Sequence, residues 1–206
     1  MFAHKAAAAA ATLILAASAH AAGGTDVGNT SVDDVTLNGQ NADAFVFASG
    51  WNPHPGDTSG FGTSFDSYGS GAWSILDKMD GGSGFQGNSG FEFTFTHASG
   101  SDTQGTWTIR NTGASSVTLD LAFAIHAGNG AGAFLFDNET IGAGATLNGT
   151  WKIDWFTGNN QSTPGFSNLT VFGRDVTPVP EPESWGMLLG GLGLLGAAAA
   201  RRRKQS

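Results

Sequence analysis

The sequence predicts an all-β body, an antiparallel β-sandwich or jelly roll, flanked by an N-terminal signal peptide and a C-terminal transmembrane helix. Three observations predict it. Apolar and polar residues alternate with period two in several short runs, which puts one side-chain set on one face of a sheet. Turn clusters of Gly, Asn, Ser and Thr separate these runs, and the 206-residue chain holds 32 glycines. The apolar runs at the two ends lack this alternation and carry basic flanks instead.

At the N-terminus, Lys5 supplies a positive start and residues 6–17 are uninterrupted small and apolar, with Leu13, Ile14 and Leu15 at the centre. Ala19-His20-Ala21 is a small-x-small cleavage site, so residues 1–21 read as a secretory signal peptide cut after Ala21. Such a segment calls for the Sec translocon and a signal peptidase as partners. The body then covers 22–178, enough for one domain with a core of its own.

Within the body, residues 44–48 read as the first strand. Residues 52–68, with Pro53 and Pro55 among glycines and serines, read as a long surface loop. Residues 73–79 place Trp73, Leu76 and Met79 at helical spacing, yet glycines crowd both sides and a strand fits equally well. Phe91, Phe93 and Phe95 alternate with Glu92, Thr94 and Thr96. Val117, Leu119, Leu121, Phe123 and Ile125 alternate with Thr118, Asp120, Ala122, Ala124 and His126. Trp151, Ile153 and Trp155 alternate with Lys152 and Asp154, which predicts a strand over 151–155. Shorter candidates are 106–110, 133–136 and 168–173. Gly105-Thr106-Trp107-Thr108-Ile109 and Gly149-Thr150-Trp151-Lys152-Ile153 echo one another. Two copies cannot close a propeller, so they read as equivalent strands, each burying a tryptophan.

Composition excludes several chemistries. There is no cysteine, hence no disulfide framework, thiolate metal site or cysteine nucleophile. Between residues 22 and 180 only Lys78, Arg110, Lys152 and Arg174 stand against fifteen acidic residues. A body this acidic does not attract nucleic acid or an anionic bilayer; the excess serves solubility, or else calcium or a cation-bridged polysaccharide. No serine sits in a nucleophile elbow, and neither a phosphate-binding loop nor a zinc His-Glu-x-x-His occurs. His54, His97 and His126 are isolated in sequence. Glu92, alternating with phenylalanines, reads as a solvent-facing strand residue rather than one of the paired carboxylates that glycoside hydrolysis needs. No catalytic residue and no cofactor are therefore assigned. Asp77 and Asp80 lie in an acidic, glycine-rich turn that offers oxygen ligands to calcium, although the EF-hand spacing is not met. Trp151 and Trp155 could form a platform for a sugar ring, but Ile153 between them favours core. Trp51, beside a proline-rich loop, is the better candidate for an exposed aromatic. No Thr-x-Thr or Asn rows of ice-matching regularity stand out.

The tail is 179–206. Val179-Pro180-Glu181-Pro182 leads into an apolar run over 185–200, about 24 Å of helix against a hydrocarbon core of about 30 Å. Trp185 suits one interface, and Arg201, Arg202, Arg203 and Lys204 form a basic stop that keeps the C-terminus cytoplasmic. This arrangement resembles the PEP-CTERM sorting tails of Gram-negative bacteria. The resemblance implies recognition at Pro180, Glu181 and Pro182 by exosortase, a membrane-embedded protease or transpeptidase, with cleavage nearby and delivery of the body to the cell surface or medium. Such tails accompany exopolysaccharide systems, and the same tail is also labelled an ice-binding protein C-terminal domain. The body is similar to a module recurrent in these proteins, through Trp73-Ser74-Ile75-Leu76-Asp77-Lys78, His126-Ala127-Gly128-Asn129-Gly130 and Phe134-Leu135-Phe136; family versions often carry Lys-Gly-Gly where this chain has His126-Ala127-Gly128. The expectation is an exported, non-enzymatic surface or matrix protein. The alternatives are a carbohydrate-binding module or matrix-polysaccharide hydrolase, and then an ice-binding or adhesion protein.

Overall fold

A computed structural model describes residues 25–81, 83–87, 90–157, 162–179 and Leu192. The expected signal peptide with Ala19 and Ala21, Pro180 to Pro182, the apolar run apart from Leu192, and Arg201 to Lys204 lie outside the described residues. Among the described residues no helix is long and apolar enough to cross a membrane.

The described chain is all-β. Its strands are β1 (Thr25–Asp26), β2 (Thr36–Leu37), β3 (Gln40–Asn41), β4 (Ala44–Ser49), β5 (Ser74–Asp80), β6 (Phe91–His97), β7 (Gln104–Asn111), β8 (Val117–Ala127), β9 (Gly130–Ile141), β10 (Thr146–Lys152), β11 (Phe156–Thr157) and β12 (Phe166–Pro178). Two short 3-10 turns, Val32–Asp34 and Gly62–Phe65, interrupt them. All pairings are antiparallel, in a three-stranded sheet β10-β7-β6, a five-stranded sheet β4-β9-β8-β12-β5, and the two-stranded pairs β1-β11 and β2-β3. The two larger sheets share one apolar cluster. Phe93, Trp107, Ile109 and Trp151 come to it from the first sheet, and Leu121, Phe123, Ile125, Phe134 and Val171 from the second. Trp107 lies 4.4 Å, centroid to centroid, from Phe123 across this layer.

Around residues 73–79 the chain is strand, not helix, over Ser74–Asp80. Their partner decides the ambiguity: β5 lies along β12 from Asn168↔Asp80 to Gly173↔Ser74, so ladder hydrogen bonds win over a short helical spacing hemmed in by glycines. The strand expected over 151–155 begins earlier and ends at Lys152. Beyond it, Ile153 donates its N–H to Thr103 O at 2.7 Å, and Trp155 turns inward to donate Nε1–H to Ala127 O at 3.2 Å.

The segment 52–68 is a surface loop without a strand, as expected, and its buried Phe61 and Phe65 also make it a cover. The outer face of the five-stranded sheet presents Ala122, Ala124, Ala131 and Ala133, side chains too small to fill space above the strands. Trp51, Phe61 and Phe65 lie down on that floor. Phe61 meets Trp51, Phe65, Trp73 and Phe172 with ring centroids 5.2–5.7 Å apart, and Gly60 leaves the room that the Trp51 ring occupies. The central strands are thus buried on both faces, with Ala122 and Ala124 of β8 and Ala131 and Ala133 of β9 on the second.

The echoed Gly-Thr-Trp segments are neighbours in one sheet. Thr106 pairs Thr150, Trp107 pairs Gly149, and Gly105 pairs Trp151. Each indole lies across the opposing glycine and donates its N–H to a carbonyl one strand further out: Trp107 Nε1 to Thr36 O and Trp151 Nε1 to Thr96 O, both at 3.0 Å. A β-carbon on either glycine would overlap that carbonyl and crowd the indole. The repeat is therefore a reciprocal lock between two adjacent strands.

Two β-bulges flank Asp120. On β9, Asp137 and Asn138 stand where β8 has one residue, with Asn138 at φ 55°. On β12, Asp175 and Val176 do the same, with Asp175 at φ 52°. Asp120 binds both sides: Oδ1 accepts from Asn138 N–H at 3.1 Å and Oδ2 from Arg174 Nε at 2.9 Å. Arg174 also donates to Phe65 O at 2.8 Å and lies 4.3 Å over the Trp73 ring. One buried ion pair thus ties the sheet, both bulges and the cover together.

Candidate functional site

Two regions could carry function, the outer face of the three-stranded sheet and the junction with the tail. The outer face follows from strand alternation. With Phe93, Trp107 and Trp151 turned inward, Thr94, Thr96, Thr106, Thr108, Asn148 and Thr150 point outward. They stand in rows: Thr96 opposite Thr106 opposite Thr150, then Thr94 opposite Thr108 opposite Asn148. Hydroxyls bond across the strands, Thr96 to Thr106 and Thr94 to Thr108 at 2.7 Å, and Thr150 to Thr36 of β2 at 2.8 Å. This corrects the expectation that no Thr-x-Thr rows stand out. The phenylalanines and tryptophan between them masked a pattern that becomes visible only when adjacent strands are in register.

A groove of about 410 Å³ opens at one end of this face, lined by Thr106, Thr150, His97, Gln104, Asp34 and Lys152 among others. Lys152 Nζ bridges Asp34 Oδ1 at 3.0 Å and Asp154 Oδ2 at 2.9 Å. Burial pushes the Asp34 carboxyl up, and Lys152 offsets that only in part. The hydrogen bonds that the ammonium donates to Asp154 and Asp34 hold its pKa well above its ordinary value. The lysine stays charged and the carboxylates are occupied by it. This end offers fixed hydrogen-bonding groups rather than a free acid and base. His97 packs edge-on against Phe95 and Trp151.

The three tryptophans considered for sugar contact are buried: Trp51 is 5 %, Trp151 1 % and Trp155 0 % exposed. A sugar platform needs an open ring face, and each of these faces is spent on packing while its N–H bonds a backbone carbonyl. Trp51 lies on the alanine floor against Phe61 instead of being presented. Asp77 binds its own loop. Oδ1 accepts from Lys78 N–H at 2.8 Å and Gln86 N–H at 2.9 Å, and Oδ2 from Gly87 N–H at 2.9 Å. Asp80 lies 3.0 Å from His54 Nε2. Among the described residues no group of three or more His, Cys, Asp or Glu is placed to hold a metal ion. A second acidic group surrounds Asp120. Burial raises the Asp137 carboxyl, with Asp120 and Asp43 adding to it, and burial likewise raises Glu139.

The junction is short. β12 pairs β8 to its last residue, Pro178 opposite Val117, and Val179 donates its N–H to Ser116 O at 2.8 Å. The Pro-Glu-Pro segment therefore starts directly at the edge of the folded body.

Neither a curated protein nor a solved structure matches the chain. A family model does, the PEP-CTERM protein-sorting motif, over residues 178–204. That span begins at the final residue of β12 and takes in Val179 to Pro182, the apolar run and the four basic residues. The chain carries a PEP-CTERM protein-sorting motif as the continuation of its last strand.

Proposed function

We propose that this is an exported, non-enzymatic protein of the cell surface or extracellular matrix. Its tail holds it in the inner membrane until an exosortase-like enzyme processes it near Pro180-Glu181-Pro182. The observation that carries the reading is the sorting motif over 178–204, joined without spacer to a folded all-β body. Residues 1–21 are the signal peptide in this reading, and residues 185–200 the temporary anchor. The body is a two-layer β-sandwich, an assignment supported by the apolar cluster common to its two larger sheets. The structural role is supported by the engaged state of the groove's charged groups, since Lys152 holds both Asp34 and Asp154. Exopolysaccharide is the partner that suits this destination. The test is fractionation and intact mass of the full chain with Pro180, Glu181 and Pro182 intact and then replaced by alanine. The replaced chain is expected to keep its tail and stay with the membrane. Unchanged mass and location would sink the proposal.

A second reading is favoured by the threonine rows. An outward array of hydroxyls held by cross-strand hydrogen bonds suits a hydroxylated lattice, ice or the face of a polysaccharide, better than the buried tryptophans suit a single sugar ring. Thr106→Lys with Thr108→Lys would remove ice-recrystallisation inhibition or glycan capture if the face binds. A wild-type body inactive in both assays would dismiss this reading.

A further inference from the structure

We infer that the segment handed to the processing enzyme begins inside the folded body, at Asp175, and that Asp175 to Val179 must leave β8 before the sorting motif can be engaged. The inference rests on the sorting reading above and extends its substrate determinants from Pro180 back to Asp175, three residues beyond the matched motif.

The body is built differently on the two sides of Arg174. Up to Gly173, β12 lies between β8 and β5 and is buried from Asn168 onward. β5 starts at Ser74, opposite Gly173, and so reaches no further along β12. Beyond it β12 has β8 on one side only, and all four residues from Asp175 to Pro178 are exposed, Val176 at 47 %. The bulge at Asp175 and Val176 also interrupts the ladder, with Asp175 in the left-handed region at φ 52°. A non-glycine residue there marks a natural break in pairing.

What holds the segment is slight. Thr177 pairs Thr118 and donates its Oγ1–H to Thr118 O at 3.5 Å, Pro178 pairs Val117, Val179 N–H reaches Ser116 O, and Asp175 Oδ2 meets Gly71 N–H at 3.3 Å and lies 3.9 Å from Arg174 Nε. Apart from the Arg174 guanidinium these groups are at the surface, where terminal strand pairs fray most readily. Immediately upstream the chain is clamped. Arg174 is buried against Asp120, Phe65 O and Trp73, so separation stops there and the rest of the sheet is kept.

Reach gives this arrangement a purpose. Five residues separate Val179 from Trp185, the expected start of the membrane span, so at most about 20 Å of extended chain lies between a zipped body and the bilayer. An active site that takes its substrate as an extended strand must fit inside that gap, against the edge of the body at Ser116. Freeing Asp175 to Val179 adds about 17 Å. It also exposes unpaired backbone N–H and C=O groups in line with Pro180, the groups that strand-type recognition uses. Val176, an exposed apolar side chain, joins the segment presented.

The test locks the segment. The chain has no cysteine, so Thr118→Cys with Thr177→Cys introduces a single possible disulfide. Full-length wild type and variant are incubated with membranes bearing the native processing activity, with and without reductant, and the processed fraction is read by intact mass. The oxidised variant is expected to be processed at least tenfold more slowly than the reduced one, with wild type equal in both conditions. Five Gly/Ser residues inserted after Val179 are expected to restore the oxidised rate. An oxidised variant processed at the reduced rate overturns the inference. If alanines at Pro180, Glu181 and Pro182 also fail to block processing, the sorting reading fails with it; if they block, only the inference does. Hydrogen exchange on the unmodified full chain tests the same point should the disulfide not form. The amides of Val176, Thr177 and Val179 are expected to exchange at least tenfold faster than those of Leu169 to Arg174, and equal protection would overturn the inference.

Discussion

Asp120→Ala probes the account where most of it converges. The substitution removes the acceptor of Asn138 N–H at 3.1 Å and of Arg174 Nε at 2.9 Å, while the Arg174 side chain, 1 % exposed, cannot turn to water. It leaves a buried guanidinium with one carbonyl, one aromatic face and the more distant Asp175 carboxylate at 3.9 Å, and breaking a buried pair from one side costs about 3–5 kcal/mol. The orphaned Asn138 amide adds to this, but the two effects share one carboxylate and do not sum. We take about 4 kcal/mol, which for a domain of this size corresponds to a fall in Tm of roughly 8–16 °C. Urea unfolding followed by tryptophan fluorescence measures it. The double variant Asp120→Ala with Arg174→Met is the control. Removing both charges should recover at least half of the loss, because an apolar pair in that place is nearly neutral. A loss under about 1 kcal/mol in the single variant, or no recovery in the double, would refute the view that this pair ties the two bulges to the sheet.

Gly149→Ala should cost about 2–4 kcal/mol, from overpacking against Thr36 O and the Trp107 indole together with the strained Trp107 hydrogen bond; a urea midpoint within error of wild type would contradict the reciprocal lock. Trp51→Ala should cost about 3–5 kcal/mol and open residues 52–68 to limited proteolysis, whereas an exposed Trp51 would give neither effect. Asp137 has a carboxyl pKa raised in the fold by burial, so the folded state holds its proton to higher pH than the unfolded chain does. Its contribution to stability grows as pH falls through the folded pKa and is lost above it. Asp137→Asn should therefore be at least as stable as wild type at pH 7 and lose that advantage near pH 4; the opposite trend in Tm against pH would show that the wrong group is responsible.

Much of the fold was legible where local pattern and tertiary role agree. The period-two runs of Phe91 to Phe95 and Val117 to Ile125 became β6 and the core of β8 because one of their faces meets the other sheet. Pattern said less where a loop also buries aromatic residues. Trp51, Phe61 and Phe65 sit among prolines and glycines, and only the alanine floor beneath them, contributed by β8 and β9, makes their burial possible. Asn38-Gly39 is a strong hairpin signal, with φ of 50° and 77°, but strands of two residues on either side gave it no apolar context. The threonine rows needed register, which the sequence of a single strand does not hold. Asp120 and Arg174 lie 54 residues apart, and their pairing was invisible for the same reason. The tail was the most legible part because its meaning is local: a short motif, an apolar run and a basic stop read in order.

The central claim is that this body reaches the cell surface without its tail, and the intact mass of the native extracellular form tests it most directly. The account predicts an N-terminus at Ala22 and a C-terminus between Val179 and Trp185. An extracellular form that still carries Arg201 to Lys204 would contradict it.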